Sequence, residues 1–143
     1  MLKIHDGTPT TTLELATLLH PADAAELAAA GQHIGAVLEG VQMLELRNGD
    51  DLVCAFGVQP GDGYGIPWML CTDAVDRVPR RAMAAVSRQV VDGWKASHDA
   101  LLNMVHARNE RAVRFVQWLG FTVEPEPIGP GGEFRAFWWR RHV

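Results

Sequence analysis

The chain has 143 residues, a formal net charge of -4 and 48% hydrophobic residues. That length and apolar content suit a single globular domain over residues 1–143 with a core of its own, and argue against disorder. The acidic balance gives no strong nucleic-acid signal, and no run nears the ~18 apolar residues of a membrane-spanning helix.

The opening Met-Leu-Lys-Ile-His-Asp-Gly-Thr has no long apolar core of the kind a cleaved signal needs, so export by such a signal is not expected. Leu2 to His5 reads as a strand, broken by Asp6, Gly7 and Pro9. Thr10 to Leu19 reads as a helix, with Leu13, Ala16 and Leu19 near helical spacing. Pro21 sits at a helix start, Ala22 to Ala30 is alanine-rich, and Gly31 ends it. A short helix is expected from Ile34 to Gly40.

From Val41 the period changes. Met43 to Arg47 and Leu52 to Val58 read as strands joined by the hairpin turn Asn48-Gly49-Asp50. A glycine-rich loop, Pro60 to Gly65, leads to a strand over Ile66 to Thr72. Pro79 is a favoured first helical position, and Ala82, Val86, Val90 and Trp94 then recur every four residues as an apolar stripe. Leu101 to Val105 is the next strand. Asn109 can cap a last helix whose stripe is Ala112, Phe115, Val116 and Leu119. Gly120 suits a left-handed stop, with Phe121 packing back. Thr122 to Glu124 and Phe134 to Trp139 close the chain as strands, joined by the loop Pro125 to Gly132. The expected fold is α+β: a single mixed, mostly antiparallel twisted sheet with helices on both faces.

Cys54 and Cys71 lie in separate apolar runs with no metal-ligand spacing, and both are read as core residues, not as disulfide partners. The six histidines show no metal spacing either, so no metal is expected. Glu45 and Asp51 read as solvated hairpin residues.

The element order and the residues Asn109, Ala112, Phe115, Gly120 and Phe121 resemble the GCN5-related N-acetyltransferase (GNAT) superfamily. From Trp68 onward the chain is also similar to the small internal virion proteins of T7-like bacteriophages. That likeness rests on Trp68, Thr72-Asp73, the arginine-rich helix, Arg114-Phe115, Gly120, Gly132-Glu133-Phe134 and Phe137. It implies other virion proteins as partners (portal, tail or internal), with the virion or host cytoplasm as location. The aromatic closing strand offers a face for self-association.

The GNAT resemblance implies acetyl-CoA as cofactor, held by a loop of the pattern Q/R-x-x-G-x-G/A whose backbone N–H groups close on pyrophosphate at a helix start. The matching segment, Thr72 to Arg81, contains no glycine; Asp73 and Asp76 add negative charge, and Pro79 removes a donor. Thr72, Arg77, Arg80, Arg81, Asn109 and Phe115 are the candidate cofactor residues. The arginines read either as a substitute anion site or as a solvated basic face. Asn109 reads as a helix cap ahead of a cofactor contact. In many GNATs a tyrosine on the last helix protonates the leaving thiolate; Val116 stands there. The candidates for proton transfer are then Tyr64, the one tyrosine of the chain, and His106 at a strand end. Two functions follow: a catalytically decayed GNAT-fold virion protein acting by contact in assembly or genome ejection, or an active acyltransferase with a remodelled phosphate site.

Overall fold

The computed structural model describes residues 1–142. Seven strands run in chain order as β1 (Leu2–Asp6), β2 (Leu44–Asn48), β3 (Asp51–Pro60), β4 (Gly65–Cys71), β5 (Ala100–His106), β6 (Thr122–Ile128) and β7 (Phe134–Arg140). The helices are α1 (Pro9–Leu18), α2 (Pro21–Ala29), α3 (Ile34–Leu38), α4 (Arg80–Ser97) and α5 (Glu110–Trp118). One sheet has the order β1-β2-β3-β4-β5-β7-β6. The β4/β5 pair is parallel, whereas β1/β2, β2/β3, β5/β7 and β6/β7 are antiparallel. This is the mixed, mostly antiparallel sheet expected.

The chain forms two compact units, residues 1–57 with 68–83, and residues 58–67 with 84–142. In the first, Leu15, Leu38, Leu52 and Ala55 make the core, and Leu19, Met43, Trp68 and Leu70 pack on it. The β2–β3 turn places Gly49 at φ +63° and leaves Asp50 at negative φ, which a type I′ turn does not allow. Glu45 is not solvated. It is 6% exposed, accepts a 2.6 Å hydrogen bond from the Thr11 hydroxyl and pairs with Arg47 at 2.7 Å. Arg47 also holds Glu14 with both terminal nitrogens. A buried carboxylate survives because partners on α1 and β2 satisfy it.

In the second unit, Val91, Leu101, Val105, Val113, Leu119, Phe121 and Phe137 form the core. The most buried positions of α4 are Ser87 and Val91, not the expected Ala82–Val86–Val90 line, whose members are half-buried. A polar Ser87 hid the centre of that face. The end of α5 follows the glycine signal closely. Gly120 sits at φ +98°, its N–H bonds to Gln117 and the Phe121 N–H to Val116. These two bonds are the Schellman pattern, and Phe121 packs edge-on against Phe137 at 5.1 Å.

The expected loop Pro125 to Gly132 is shorter than read. β6 continues to Ile128, with an irregular register between Val123 and Pro127, and a one-turn 3-10 helix fills Pro130–Gly132. Prolines are tolerated there because β6 is an edge strand. β7 lies between β5 and β6, so both of its backbone edges are paired, and on one face Phe137 belongs to the second unit's core with Trp139 packed against it.

Candidate functional site

The sequence candidates fall into two groups, one in each compact unit. The first begins where β4 ends. Thr72 is 1% exposed. Its N–H donates to Val53 at 2.9 Å. Its hydroxyl donates to the Leu52 carbonyl and accepts from the Ala74 N–H at 3.2 Å. The chain then coils into a 3-10 helix, Asp73–Arg77, which the sequence reading missed. Thr72 caps that helix, and its carbonyl takes the Val75 N–H at 3.1 Å, while the Val78 N–H bonds to Val75 at 3.2 Å. The amides of Thr72, Ala74, Val75 and Val78 are therefore all spent on internal acceptors. A Thr followed by Asp is the local signal that could have announced this cap.

Asp76 pairs with His20 at 2.9 Å, where α2 begins. The Cys71 N–H donates to the Asp23 carboxylate of α2 at 2.6 Å. Burial pushes the Asp23 carboxyl up to about 6, outweighing the opposing effect of that hydrogen bond. A pocket of about 280 Å³ beside this segment is lined by Glu14, Asp50, Asp51, Asp73, Thr72 and Arg77, among others. Carboxylates outnumber the guanidinium there, a poor setting for an anion.

Arg77, Arg80 and Arg81 are exposed and, among the described residues, make no ion pair. Neither Asp73, Asp76 nor a glutamate pairs with them among the described residues. Arg80 and Arg81 occupy the first turn of α4, just after Pro79, whose side chain has no group to cap the helix.

The second group lies around β5 and α5. Gly65 pairs with Leu101 where β4 and β5 run parallel. At Pro67 the link passes instead through a side chain, the Asn103 amide donating to the Pro67 carbonyl at 2.7 Å. His106 ends β5. Its Nδ1 accepts from the Arg108 N–H at 3.2 Å, its Nε2 lies 3.7 Å from Glu133, and its ring stands edge-on to Phe134 at 5.2 Å. It serves the turn between β5 and α5. Asn109 caps α5, its side-chain oxygen accepting from the Ala112 N–H at 3.2 Å. Phe115 and Val116 pack against the second core, and Phe115 stacks on Trp118 at 6.1 Å.

Tyr64 is in the same unit, in the loop before β4. Its carbonyl accepts from the Gly61 N–H at 2.8 Å. Its ring covers Gly61 so closely that a Cβ there would meet ring carbons at 2.6 Å. Among the described residues, no group of histidine, cysteine and carboxylate side chains could hold a metal, and no helix is long and apolar enough to cross a membrane.

No protein-family model and no curated protein matches the chain. Solved structures do. Spermidine N-acetyltransferase from Vibrio cholerae, in complex with CoA and spermine, superposes with a TM-score of 0.70 at 8% identity, covering 98% of this chain and 95% of that one. A GNAT-family acetyltransferase from Streptococcus pneumoniae gives 0.61 at 13% identity, over 98% and 99%. An acetyltransferase from Thermus thermophilus gives 0.64 at 18% identity, over 98% and 97%. At such identities the likeness establishes architecture, and the chain has the fold of the GNAT acetyltransferases.

Proposed function

We propose that this chain is a GNAT-fold protein that has lost the ordinary acyl-transfer machinery and works by protein contact. In this reading it is a virion-associated component of a T7-like phage, acting in particle assembly or genome ejection. One observation carries the first half: the amides of Thr72, Ala74, Val75 and Val78, in the segment matching the family's phosphate loop, are spent on Val53, Thr72 and Val75. A pyrophosphate would have to break that cap, and it would meet Asp73 and Asp76. With these amides spent and Pro79 carrying none, the stretch from Thr72 to Pro79 offers the cofactor no glycine-type backbone cradle. Val116, in the acid position, supplies no proton and packs into a core. The phage half rests on the sequence likeness from Trp68 onward.

Calorimetry with acetyl-CoA tests the loss of function. Absence of binding at roughly millimolar cofactor, the weak end of enzyme affinities, supports it. Micromolar binding overturns it. Mass spectrometry of washed phage particles tests the location, and absence of the chain from them sinks the virion reading.

A second reading has its own support. Arg77-Val78-Pro79-Arg80-Arg81-Ala82 keeps the first and last positions of the family's loop pattern, with Arg80 in place of the first glycine. Three unpaired guanidinium groups sit at or just before the start of α4. They would hold phosphates through side chains, and the protein would be an acyl-CoA-dependent acyltransferase. Loss of cofactor binding in Arg80→Ala and Arg81→Ala would be its signature.

A further inference from the structure

Cys54 and Cys71, distant in sequence, face one another across β3 and β4. The Gly61 N–H closes on the Tyr64 carbonyl at 2.8 Å, and the Thr72 N–H bonds to Val53 at 2.9 Å. Both bonds belong to one unshifted antiparallel register. Gly57 confirms its middle, since a Cβ there would sit 3.2 Å from the Trp68 indole nitrogen opposite. In that register Cys54 opposes Cys71. Val53 and Thr72 form a hydrogen-bonded site, so the adjoining Cys54/Cys71 pair is a non-hydrogen-bonded one. The backbone of Cys71 bears this out. Its N–H goes to Asp23 on α2 at 2.6 Å, and its carbonyl accepts from the His20 N–H at 2.9 Å. Neither points at β3.

Non-hydrogen-bonded pairs bring Cα atoms to about 4.5 Å, inside the roughly 4.4–6.8 Å that a disulfide spans. Both thiols are free, Cys54 fully buried and Cys71 partly exposed. Contact with Cys54, then burial, holds the Cys71 thiol well above the usual thiol range. That contact agrees with the register, and it also keeps the thiolate scarce, so exchange is slow.

We propose that Cys54 and Cys71 are a reversible modification site, closing to a cross-strand disulfide when the protein meets an oxidised low-molecular-weight disulfide. The Cys71 thiolate attacks one sulfur of that oxidant and releases one small thiolate. The Cys54 thiolate then attacks the Cys71 sulfur and expels the second. The protein gives up two electrons and two protons, and the oxidant leaves as two small thiols. The bond ties β4 to β3 one residue before Thr72, and it is independent of whether the chain binds acyl-CoA.

The test equilibrates the native full-length protein with excess oxidised glutathione over hours, then reads intact mass and non-reduced peptide maps. The expected product is a monomer lighter by two hydrogens, with a Cys54–Cys71 linked peptide, no alkylatable thiol left, and full reversal by dithiothreitol. Folded Cys54→Ala should instead stop at a glutathione adduct on Cys71. An unmodified native protein, a lasting adduct on the unsubstituted chain, a disulfide-linked dimer, or a crosslink seen only after unfolding in urea would each overturn the proposal.

Discussion

The Lys95 ammonium donates to the Leu119 carbonyl at 2.8 Å, so α4 supplies the cation that closes the end of α5. Arg88 repeats the arrangement one residue earlier, bonding to the Trp118 carbonyl at 2.8 Å and lying 4.0 Å from the centre of the Trp118 ring. Carbonyls at a helix C-terminus are the orphan acceptors of the helix and carry its negative dipole end.

This closure makes Gly120 intolerant of a side chain. Its φ of +98° is costly for any residue with a Cβ, and that Cβ would lie 2.8 Å from the Lys95 Nζ. Gly120→Ala should lose about 1–2 kcal/mol from backbone strain alone. Lys95→Ala should remove part of the remaining penalty, so the double variant is expected to cost less than the sum of the singles. A thermal-unfolding double-mutant cycle checks this; strict additivity would show that the Lys95 contact is irrelevant.

The Glu45 network predicts acid lability of the first unit. Burial alone would raise the Glu45 pKa, but hydrogen bonds from Arg47 and Thr11, with the Arg47 charge, bring the net shift downward. A carboxylate with a lowered folded pKa contributes stability above its unfolded value of 4.5. That stability is lost as pH falls through the folded value. Arg47→Met leaves Glu45 buried beside Thr11 alone and should cost about 3–5 kcal/mol at neutral pH. It should also remove Glu45's share of the acid-induced loss: with burial no longer opposed by Arg47, the folded pKa rises, so the variant's penalty shrinks as pH falls. Urea midpoints between neutral pH and acid read both effects, and an unchanged acid limb would refute the assignment to Glu45.

This network marks the boundary of what one sequence discloses. Asn109, Gly120 and Phe121 were legible because capping and the Schellman stop are local, decided within a few residues. The strand at Leu101 to Val105 was legible because it is a short apolar run with polar residues on both sides. Glu45 was not, since its partner Thr11, and the Glu14 that shares Arg47 with it, arrive from α1 and no local pattern announces them. β6 was cut short because Pro125 and Pro127 read as a loop until the strand is known to lie at an edge. Of the candidate site residues, Thr72 and Asn109 had cap chemistry visible in their side chains. The internal use of the Ala74, Val75 and Val78 amides depended on a 3-10 helix too short to leave a periodic signal. The Cys54–Cys71 pairing needed the register of β3 on β4, which hydrophobic runs alone do not set.

Asp23 should work against stability at neutral pH. Its folded pKa, about 6, lies above the ordinary carboxyl value of 3.8, chiefly through burial. The folded state therefore binds the proton more tightly, and stability falls as pH rises through the window between those values. Asp23→Asn keeps an oxygen able to accept from the Cys71 N–H and carries no charge. It should unfold at higher urea concentration than the parent at pH 7 and show a flatter profile between about pH 4 and 6. If the variant's profile keeps the parent's slope there, another group titrates in that window.

Restoring the missing acid should fail to restore an enzyme. Val116 packs against the core built by Val91, Leu101 and Val113, and its carbonyl accepts the Phe121 N–H at 3.0 Å. Val116→Tyr places a ring where a branched three-carbon side chain fits, and overpacking should cost about 1–3 kcal/mol. With the amides of Ala74, Val75 and Val78 still capped internally, no cofactor is positioned for the new hydroxyl to protonate. The expected result is a lowered melting temperature and no release of free CoA thiol from acetyl-CoA, with polyamines or other primary amines as acceptors. Release above the unsubstituted protein would mean that only the acid had been lost, and would overturn the proposed contact role in favour of a dormant acyltransferase.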